Sequence, residues 1–390
     1  MRYNDMNDLF YSENNFTNIR NGEFEMEEIK YLNEAGLAFD FAKAPVKYER
    51  CYAGHINVTF FVYCDDGEPM YLLQRVNTNI FTKPLELQQN IRGVCDHVAA
   101  KIEAAGGNVD REVRRIIKTK EGSDYFVDPD NCYWRAYLFI NDVVSYNLPD
   151  SPELFRKSAV AFGKYFNQLA DYPAETLFET IPNFHNTVNR MNNLKNAIAE
   201  DKMGRAAEVQ AEIDFALSKE PKCSFILDGL ADGRFKLCVT HNDTKLNNVL
   251  LDAKTGEGTC IIDLDTTMPG SVLYDFGDSI RFGASSAPED EKDLDKVYCD
   301  LEMYANYVDG FVGELRDSLT EDEILALPMG AYLMTLEVGI RFLTDYLEGD
   351  TYFHTRYPGH NLDRARNQLK LVADMDAKMD EMKAIAAKYI

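Results

Sequence analysis

The sequence predicts an α+β protein in two lobes, a small antiparallel-sheet lobe followed by a large, mostly helical one. Three observations predict it. From Tyr48 to about Phe139 the pattern is strand-rich, with a hairpin signal and one helix. After Ile140 helical periodicity takes over, and strands return only near 236–262. At 390 residues the chain is also too long for one compact core. The expected division is an N-terminal extension of unknown role (1–44), a small lobe (45–140) and a helical lobe (141–390). The junction falls near 140–146, where a strand runs into NDVVSYN.

In chain order, residues 1–40 are polar and irregular, with one helix-like stretch at about 26–43. VTFFVY (58–63) and MYLLQRV (70–76) read as two strands joined through CDDGEP, whose Asp66-Gly67 signals a hairpin. A helix follows from Pro84 to Ala105, with proline in its first turn and Gly106-Gly107 ending it. EVRRIIKT, DYFVD and YWRAYLFI then read as three further strands. Helical periodicity dominates 152–170, 185–218, 289–316, 321–348 and 362–389.

With 41 Lys+Arg against 65 Asp+Glu the net charge is −24, which argues against nucleic acid as a partner. The eight cysteines are scattered, without zinc spacing or a secretory disulfide framework. The N-terminus lacks an apolar signal-peptide core, and the sequence shows no 18-residue apolar run. The expectation is a cytoplasmic protein with no membrane partner, a monomer or weak homo-oligomer.

The densest polar constellation is KLCVTHNDTKLNNVLLD (236–252), followed by TCIIDLDTTMPG (259–270). Two short β-runs deliver His241-Asn242-Asp243 and Asp263-Leu264-Asp265. Asp243 and Asn248 have the spacing of the protein-kinase catalytic loop, H-R-D-x-x-x-x-N, and Asp263 follows a strand later. In such a loop the aspartate accepts the proton of the attacking hydroxyl, while the asparagine and a second acid hold Mg²⁺ on the phosphates of ATP. Turn capping is the commonest use of a lone Asp or Asn, but it does not account for the whole pattern behind a β-rich lobe. A literal Asp275-Phe276-Gly277 follows a helix-like stretch rather than a strand, so Asp263 is the better metal ligand, and Asp275 is expected to cap or brace the neighbouring helix. DLDTT (263–267) also fits a D-x-D-x-T phosphatase nucleophile, but that motif normally opens its domain, and here the chain that follows is helical.

On the nucleotide side, RCYAGHINVTFF (50–61) stands where a phosphate-covering loop belongs, and its His55 and Asn57 could donate to phosphates or simply stabilise the turn. The next strand carries Gln74 and Arg75 where a phosphate-pairing lysine is expected, and only one of two strand neighbours can face a ligand.

HNDTKLNNVLLD and IIDLDTTMPG resemble the aminoglycoside phosphotransferase/choline kinase superfamily, whose pattern is H-x-D-x-x-x-x-N followed by I-D. GHINVTF, LQRVNTNIF, WRAYLFI, VSYNL, DYLEGDTYF and YPGHNLDRARNQLKLV further resemble, in the same order, stretches of bacterial N-acetylhexosamine 1-kinases. This resemblance spans about residues 45–380. It implies a two-lobed, protein-kinase-like fold and ATP- and Mg²⁺-dependent phosphorylation of the anomeric hydroxyl of N-acetylglucosamine or N-acetylgalactosamine. It assigns Asp243 as catalytic base, Asn248 and Asp263 as metal ligands, His55 to the phosphate side, and Phe282, Arg341 and Tyr352 to the sugar. Without it, Arg341 reads as a helix salt bridge, and Tyr352 and Phe282 as core. The alternatives are a kinase for another small hydroxyl compound (an aminoglycoside, a choline-like amine or another sugar), a metal-dependent phosphatase, and a nucleotide-binding pseudoenzyme.

Overall fold

The computed structural model describes residues 30–52 and 56–390. Its chain divides into two compact units, one running to Tyr146 and including Asn248–Thr267, the other comprising Asn147–Asn247 and Met268–Ile390.

The first unit is built on an antiparallel sheet of strands β1 (Lys47–Cys51), β2 (Val58–Tyr63), β3 (Tyr71–Arg75), β4 (Ile116–Ile117), β5 (Phe126–Val127) and β6 (Tyr133–Leu138). The order is β1-β2-β3-β6-β4, with β5 also on β6. Thr59 pairs with Gln74, and Gln74 with Arg135. Side chains alternate across a strand, so Phe60, Val62, Leu73, Trp134 and Ala136 share one face. They bury themselves with Leu32 and Ala35 of helix α1 (Leu32–Ala38) and with Phe39. Residues 30–44, expected within an extension of unknown role, therefore supply part of this core. Thr59, Gln74 and Arg135 form a polar row on the opposite face.

Helix α2 (Pro84–Ala104) buries Leu87, Ile91, Val94, Val98 and Ile102 at helical spacing, with Pro84 at its start. EVRRIIKT forms less strand than its pattern suggests: Asn108 caps a helical turn, α3 (Val109–Glu112), by accepting from the Asp110 N–H, and only Ile116–Ile117 pair with β6. A second sheet joins β7 (Val143–Val144), β9 (Val249–Asp252) and β10 (Gly258–Ile261). That pairing is why 248–267 belongs with the first unit, a return of the chain that a linear boundary near 140 does not anticipate.

The second unit contains helices α4 (Pro152–Gln168), α5 (Thr187–Glu200), α6 (Gln210–Ser218), α7 (Phe225–Asp232), α8 (Val272–Gly283), α9 (Leu301–Leu315), α10 (Glu321–Glu348), α11 (His360–Ala377) and α12 (Met379–Ala386). A small ribbon pairs β8 (Cys238–Thr240) with β11 (Met268–Gly270). The expected helical stretch 185–218 is broken where Asp201 turns left-handed (φ 37°) and its carboxylate accepts from the Ala206 N–H. Residues 289–300 carry only a 3₁₀ turn, and the α-helix begins after Asp300, which caps it by accepting from Glu302 and Met303 N–H.

Helix α10 packs against α5, α8 and α11. A capping box sets its start: Glu323 N–H donates to Thr320 Oγ1, and Thr320 N–H returns the bond to Glu323. Contrary to the expectation of no long apolar run, α10 is long and apolar enough to cross a membrane by length and composition; 89% of that window is buried in the protein's own interior. It is a core helix, wrapped by its neighbours.

Two glycines set the α8–α10 crossing. A Cβ at Gly277 would lie 2.4 Å from the Gly330 carbonyl oxygen, and one at Gly330 would lie 2.7 Å from the Leu273 carbonyl oxygen. Both obstacles are backbone, so neither can rotate away. Alanine is the better helix former by about 1 kcal/mol, but overpacking costs about 1–3 kcal/mol and wins here. Gly277→Ala should therefore lower the thermal unfolding midpoint by several degrees, as read by circular dichroism; an unchanged or raised midpoint would disprove the close crossing.

Candidate active site

In the second unit, the loop after β8 is held by side chains one helical turn apart on α8. Asp275 accepts from the His241 N–H (3.0 Å) and the Asn242 N–H (2.6 Å), and Asp278 from the Thr244 N–H (3.0 Å). Thr244 Oγ1 donates to the Asp275 carbonyl at 2.5 Å, and Ser279 Oγ donates to the Thr244 carbonyl at 2.8 Å. Asn242 sits at φ 63°, a left-handed conformation that asparagine tolerates better than most residues. His241 is wholly buried, edge-on to Phe162, and its Nδ1 accepts from the Asp243 N–H. Five residues thus spend their polar groups fixing the backbone on either side of Asp243.

Asp243 itself carries a partner that its motif did not reveal. Lys245 Nζ lies 2.7 Å from Asp243 Oδ1, both side chains being about a third exposed or less. Burial disfavours the Lys245 ammonium, but the Asp243 and Asp278 carboxylates outweigh it and raise the lysine's pKa. The half-buried Phe282 ring lies 5.8 Å from the same ammonium and 5.1 Å from the Arg281 guanidinium, which pairs with Asp278 and Glu289. The arrangement offers a carboxylate to take a proton and a cation beside it to balance phosphate charge.

A second cluster surrounds Arg341. Its guanidinium lies 5.9, 5.7 and 5.3 Å from the ring centres of Phe184, Tyr352 and Phe353, and its Nη2 is 3.4 Å from the Tyr352 hydroxyl. Tyr352 is 70% exposed, so it is not core. Glu337, on α10 one turn before Arg341, is fully buried and accepts from Thr187 Oγ1 and pairs with His185 Nδ1, both at 2.9 Å. Burial works to raise the Glu337 pKa, but His185, Arg341 and Arg190 outweigh it and hold it below its usual value. Burial, and then the neighbouring Arg341 charge, lower the pKa of Arg190. Arg190 Nε and His185 Nε2 are buried without a hydrogen-bond partner. The Asp345 carboxylate builds the adjoining loop, accepting from the N–H groups of Thr351, Tyr352 and Phe353. Helix α8 reaches both places: the Tyr274 ring lies tilted 5.2 Å from His185, while Asp275, the next residue, holds the Asp243 loop.

In the first unit, the Ile262 N–H donates to the Asn248 carbonyl at 2.9 Å, so Asp263 leaves β10 beside the start of β9 where Asn248 stands. Asp263 is left-handed (φ 61°) and opens a 3₁₀ turn, Leu264–Thr266. One amide oxygen and one carboxylate suit Mg²⁺, a hard ion that completes its octahedron with phosphate oxygens and water. Among the described residues, no group of three or more His, Cys, Asp or Glu side chains could hold a metal ion unaided. Two residues on, Asp265 takes the buried Arg135 guanidinium (Nη2 2.6 and 2.8 Å from its two oxygens) and the Asn57 amide at 2.5 Å. Arg135 Nε donates to Gln74 Oε1 at 3.1 Å, and Gln74 Nε2 to Thr59 Oγ1 at 3.0 Å.

Of the expected nucleotide contacts, Gln74 and Asn57 join this network, and Asn57 Oδ1 also accepts from the Asn77 N–H. Arg75 lies on the opposite sheet face, 5.9 Å from the Trp134 ring centre. His55 lies outside the described residues. Asp275, expected to cap or brace its helix, instead gives its carboxylate to the Asp243 loop, while Ser271 caps α8 by accepting from the Leu273 N–H. Sequence reasoning gave no role to Arg135, Asp265, Lys245, His185, Arg190 and Glu337; of these Lys245 and Asp265 lay inside the catalytic-loop motifs and Arg135 inside the WRAYLFI stretch. All eight cysteines are free thiols, as expected from their scatter.

A model of the phosphotransferase enzyme family matches residues 47–307, two thirds of the chain. Solved structures with the same fold include a microcompartment-associated aminopropanol kinase (14% identity, 91% of this chain and 98% of that one, TM-score 0.55). An aminoglycoside 2′-phosphotransferase-IIIa in complex with GDP matches at 13% identity over 90% and 99% (TM-score 0.53). An ethanolamine kinase of Plasmodium vivax matches at 13% identity over 98% and 97% (TM-score 0.51). At these identities the likeness establishes a kinase-like fold with a small antiparallel-sheet unit and a mostly helical remainder.

Burial pushes Asp275 up to about 8, against the two N–H groups that favour its charged form. A carboxyl whose folded pKa is raised binds a proton that the unfolded chain, near 3.8, does not. Its contribution to stability is complete below pH 4 and is lost as pH rises through about 8. Urea unfolding from pH 4 to 9 should show this fall in wild type and a flatter profile in Asp275→Asn; parallel profiles would refute it.

Proposed function

Because the chain belongs to the phosphotransferase enzyme family, we propose that it transfers the γ-phosphate of ATP, with Mg²⁺, to the anomeric hydroxyl of an N-acetylhexosamine such as N-acetylglucosamine or N-acetylgalactosamine. Asp243 supports the transfer: fixed by the α8 clamp, it takes the hydroxyl proton as the sugar oxygen attacks phosphorus and the bond to the β-phosphate oxygen breaks, releasing ADP. The anomeric hydroxyl is the most acidic on the ring and yields its proton most readily. Asn248 and Asp263 would hold the metal, whose charge screens the triphosphate. Lys245 would keep Asp243 oriented and add positive charge beside it.

The observation that carries the acceptor class is the charge of the Arg341 cluster. Two arginines and a histidine stand around one buried, already paired glutamate, next to aromatic rings. Such a site repels an ammonium group and favours carbonyl and hydroxyl oxygens, which would pair the guanidinium donors. The structural neighbours named above as aminopropanol and ethanolamine kinases take amines; this cluster favours the neutral, acetylated sugar over an amine acceptor. The acetyl methyl and sugar ring would lie against Tyr352 and Phe282.

Incubation with ATP, Mg²⁺ and free sugars, followed by phosphorus NMR, tests the reading. The phosphate should couple to the anomeric proton; a 6-phosphate refutes it. Asp243→Asn should lower turnover by about 10²–10⁴-fold with ATP affinity little changed. Glucosamine should be a far poorer acceptor than its N-acetyl form at pH 6, with the gap closing at pH 9 as its ammonium loses its proton. Equal turnover of the two at pH 6 would remove the argument from charge.

A further inference from the structure

Arg135 and Asp265 form an ion pair whose side chains are only 3% and 5% exposed. Burying two charges costs more than such a pair usually returns, and Arg135 Nη1 is left buried without a hydrogen-bond partner. Stability alone is a poor account of it. Its connections give a better one. Through Gln74 and Thr59 the guanidinium is tied across three adjacent strands, β6, β3 and β2. Through Asp265 it reaches the turn that begins at Asp263, and Asp265 also receives the amide of Asn57, the residue just before β2. One carboxylate therefore fixes both the turn carrying the proposed metal ligand and the end of the β1–β2 connection. Strand β3 carries no lysine, and the buried Arg135 guanidinium on β6 points at the turn that begins at Asp263.

We infer that Arg135 and Asp265 are positioning residues for the metal: they hold the Asp263 turn so that Asp263 meets the ion in a fixed geometry. This rests on the reading of Asn248 and Asp263 as metal ligands. Partners that orient a metal ligand typically contribute about 10–100-fold to metal affinity, and the left-handed Asp263 turn is joined to the sheet through Asp265.

The test is calorimetric titration of the full chain with ADP, without metal and with Mg²⁺ or Mn²⁺, so that no turnover is needed. In wild type the metal should tighten ADP binding. In the double variant Arg135→Met/Asp265→Leu, an apolar pair of similar volume should keep the thermal midpoint within a few degrees, while the metal-dependent gain falls about tenfold or more. Arg135→Lys supplies a second variant: it keeps the charge opposite Asp265 but cannot also reach Gln74, so it should retain the fold and lose part of the gain. Gly277→Ala, destabilised in the other unit, should keep the full gain. A metal gain within about threefold of wild type in both pair variants overturns the inference; no metal gain in wild type overturns instead the metal assignment on which it rests.

Discussion

The clamp of α8 on the loop before Asp243 is the constraint on which the candidate chemistry depends. A carboxylate that must accept a proton in a fixed direction needs a rigid backbone, and the loop has no regular structure of its own. Asp275, Asp278 and Ser279 supply what a sheet or helix ladder would have supplied. Burial disfavours the charged form of Asp275, and the two backbone N–H groups that its oxygens accept from offset only part of that cost. The Gly277–Gly330 approach serves the same end, because α8 can hold the loop only if α10 holds α8. Ser279 is secured in turn by the Tyr307 hydroxyl at 2.6 Å, which carries the restraint into α9.

The sheet unit solves a related problem with different means. Its polar row, Thr59–Gln74–Arg135, runs across strands at one register level, so each side chain is presented to the next by pairing alone. Asp265 ends the row. Arg75 shows why register matters: one residue from Gln74, it belongs to the other face and to Trp134.

The legible parts were those with a local signature. Strands β2, β3 and β6, helix α2 and the Asp243–Asn248 spacing follow from period, turn residues and a motif. Arg135 was illegible because a lone arginine in YWRAYL gives no sign of facing Asp265, 130 residues later. Arg341, apart from the resemblance, reads as a helix salt bridge; only the fold shows that Glu337, one turn before it, is buried against His185 and Thr187, leaving Arg341 to the aromatic rings. Asp275 is set aside as a metal ligand because its Asp-Phe-Gly triplet does not follow a strand, but its actual partners, the N–H groups of His241 and Asn242, lie in a loop 34 and 33 residues earlier and leave no local sign. The helix break at Asp201 and the return of 248–267 to the first unit were hidden for the same reason, being decided by tertiary partners.

Net charge and site charge also separate cleanly. A chain of −24 would draw cationic molecules toward it from solution, which on composition alone favours an amine acceptor. That field is screened within about 10 Å at moderate salt, whereas the groups meeting the acceptor act at contact distance and lower dielectric. In the Arg341 cluster Glu337 is buried and paired to His185 and Thr187, and Asp345 is taken up by backbone N–H groups of the adjoining loop, so what would be left for a ligand is guanidinium and aromatic surface. On the proposed reading, the local arrangement would override the global balance and favour an oxygen acceptor without formal positive charge.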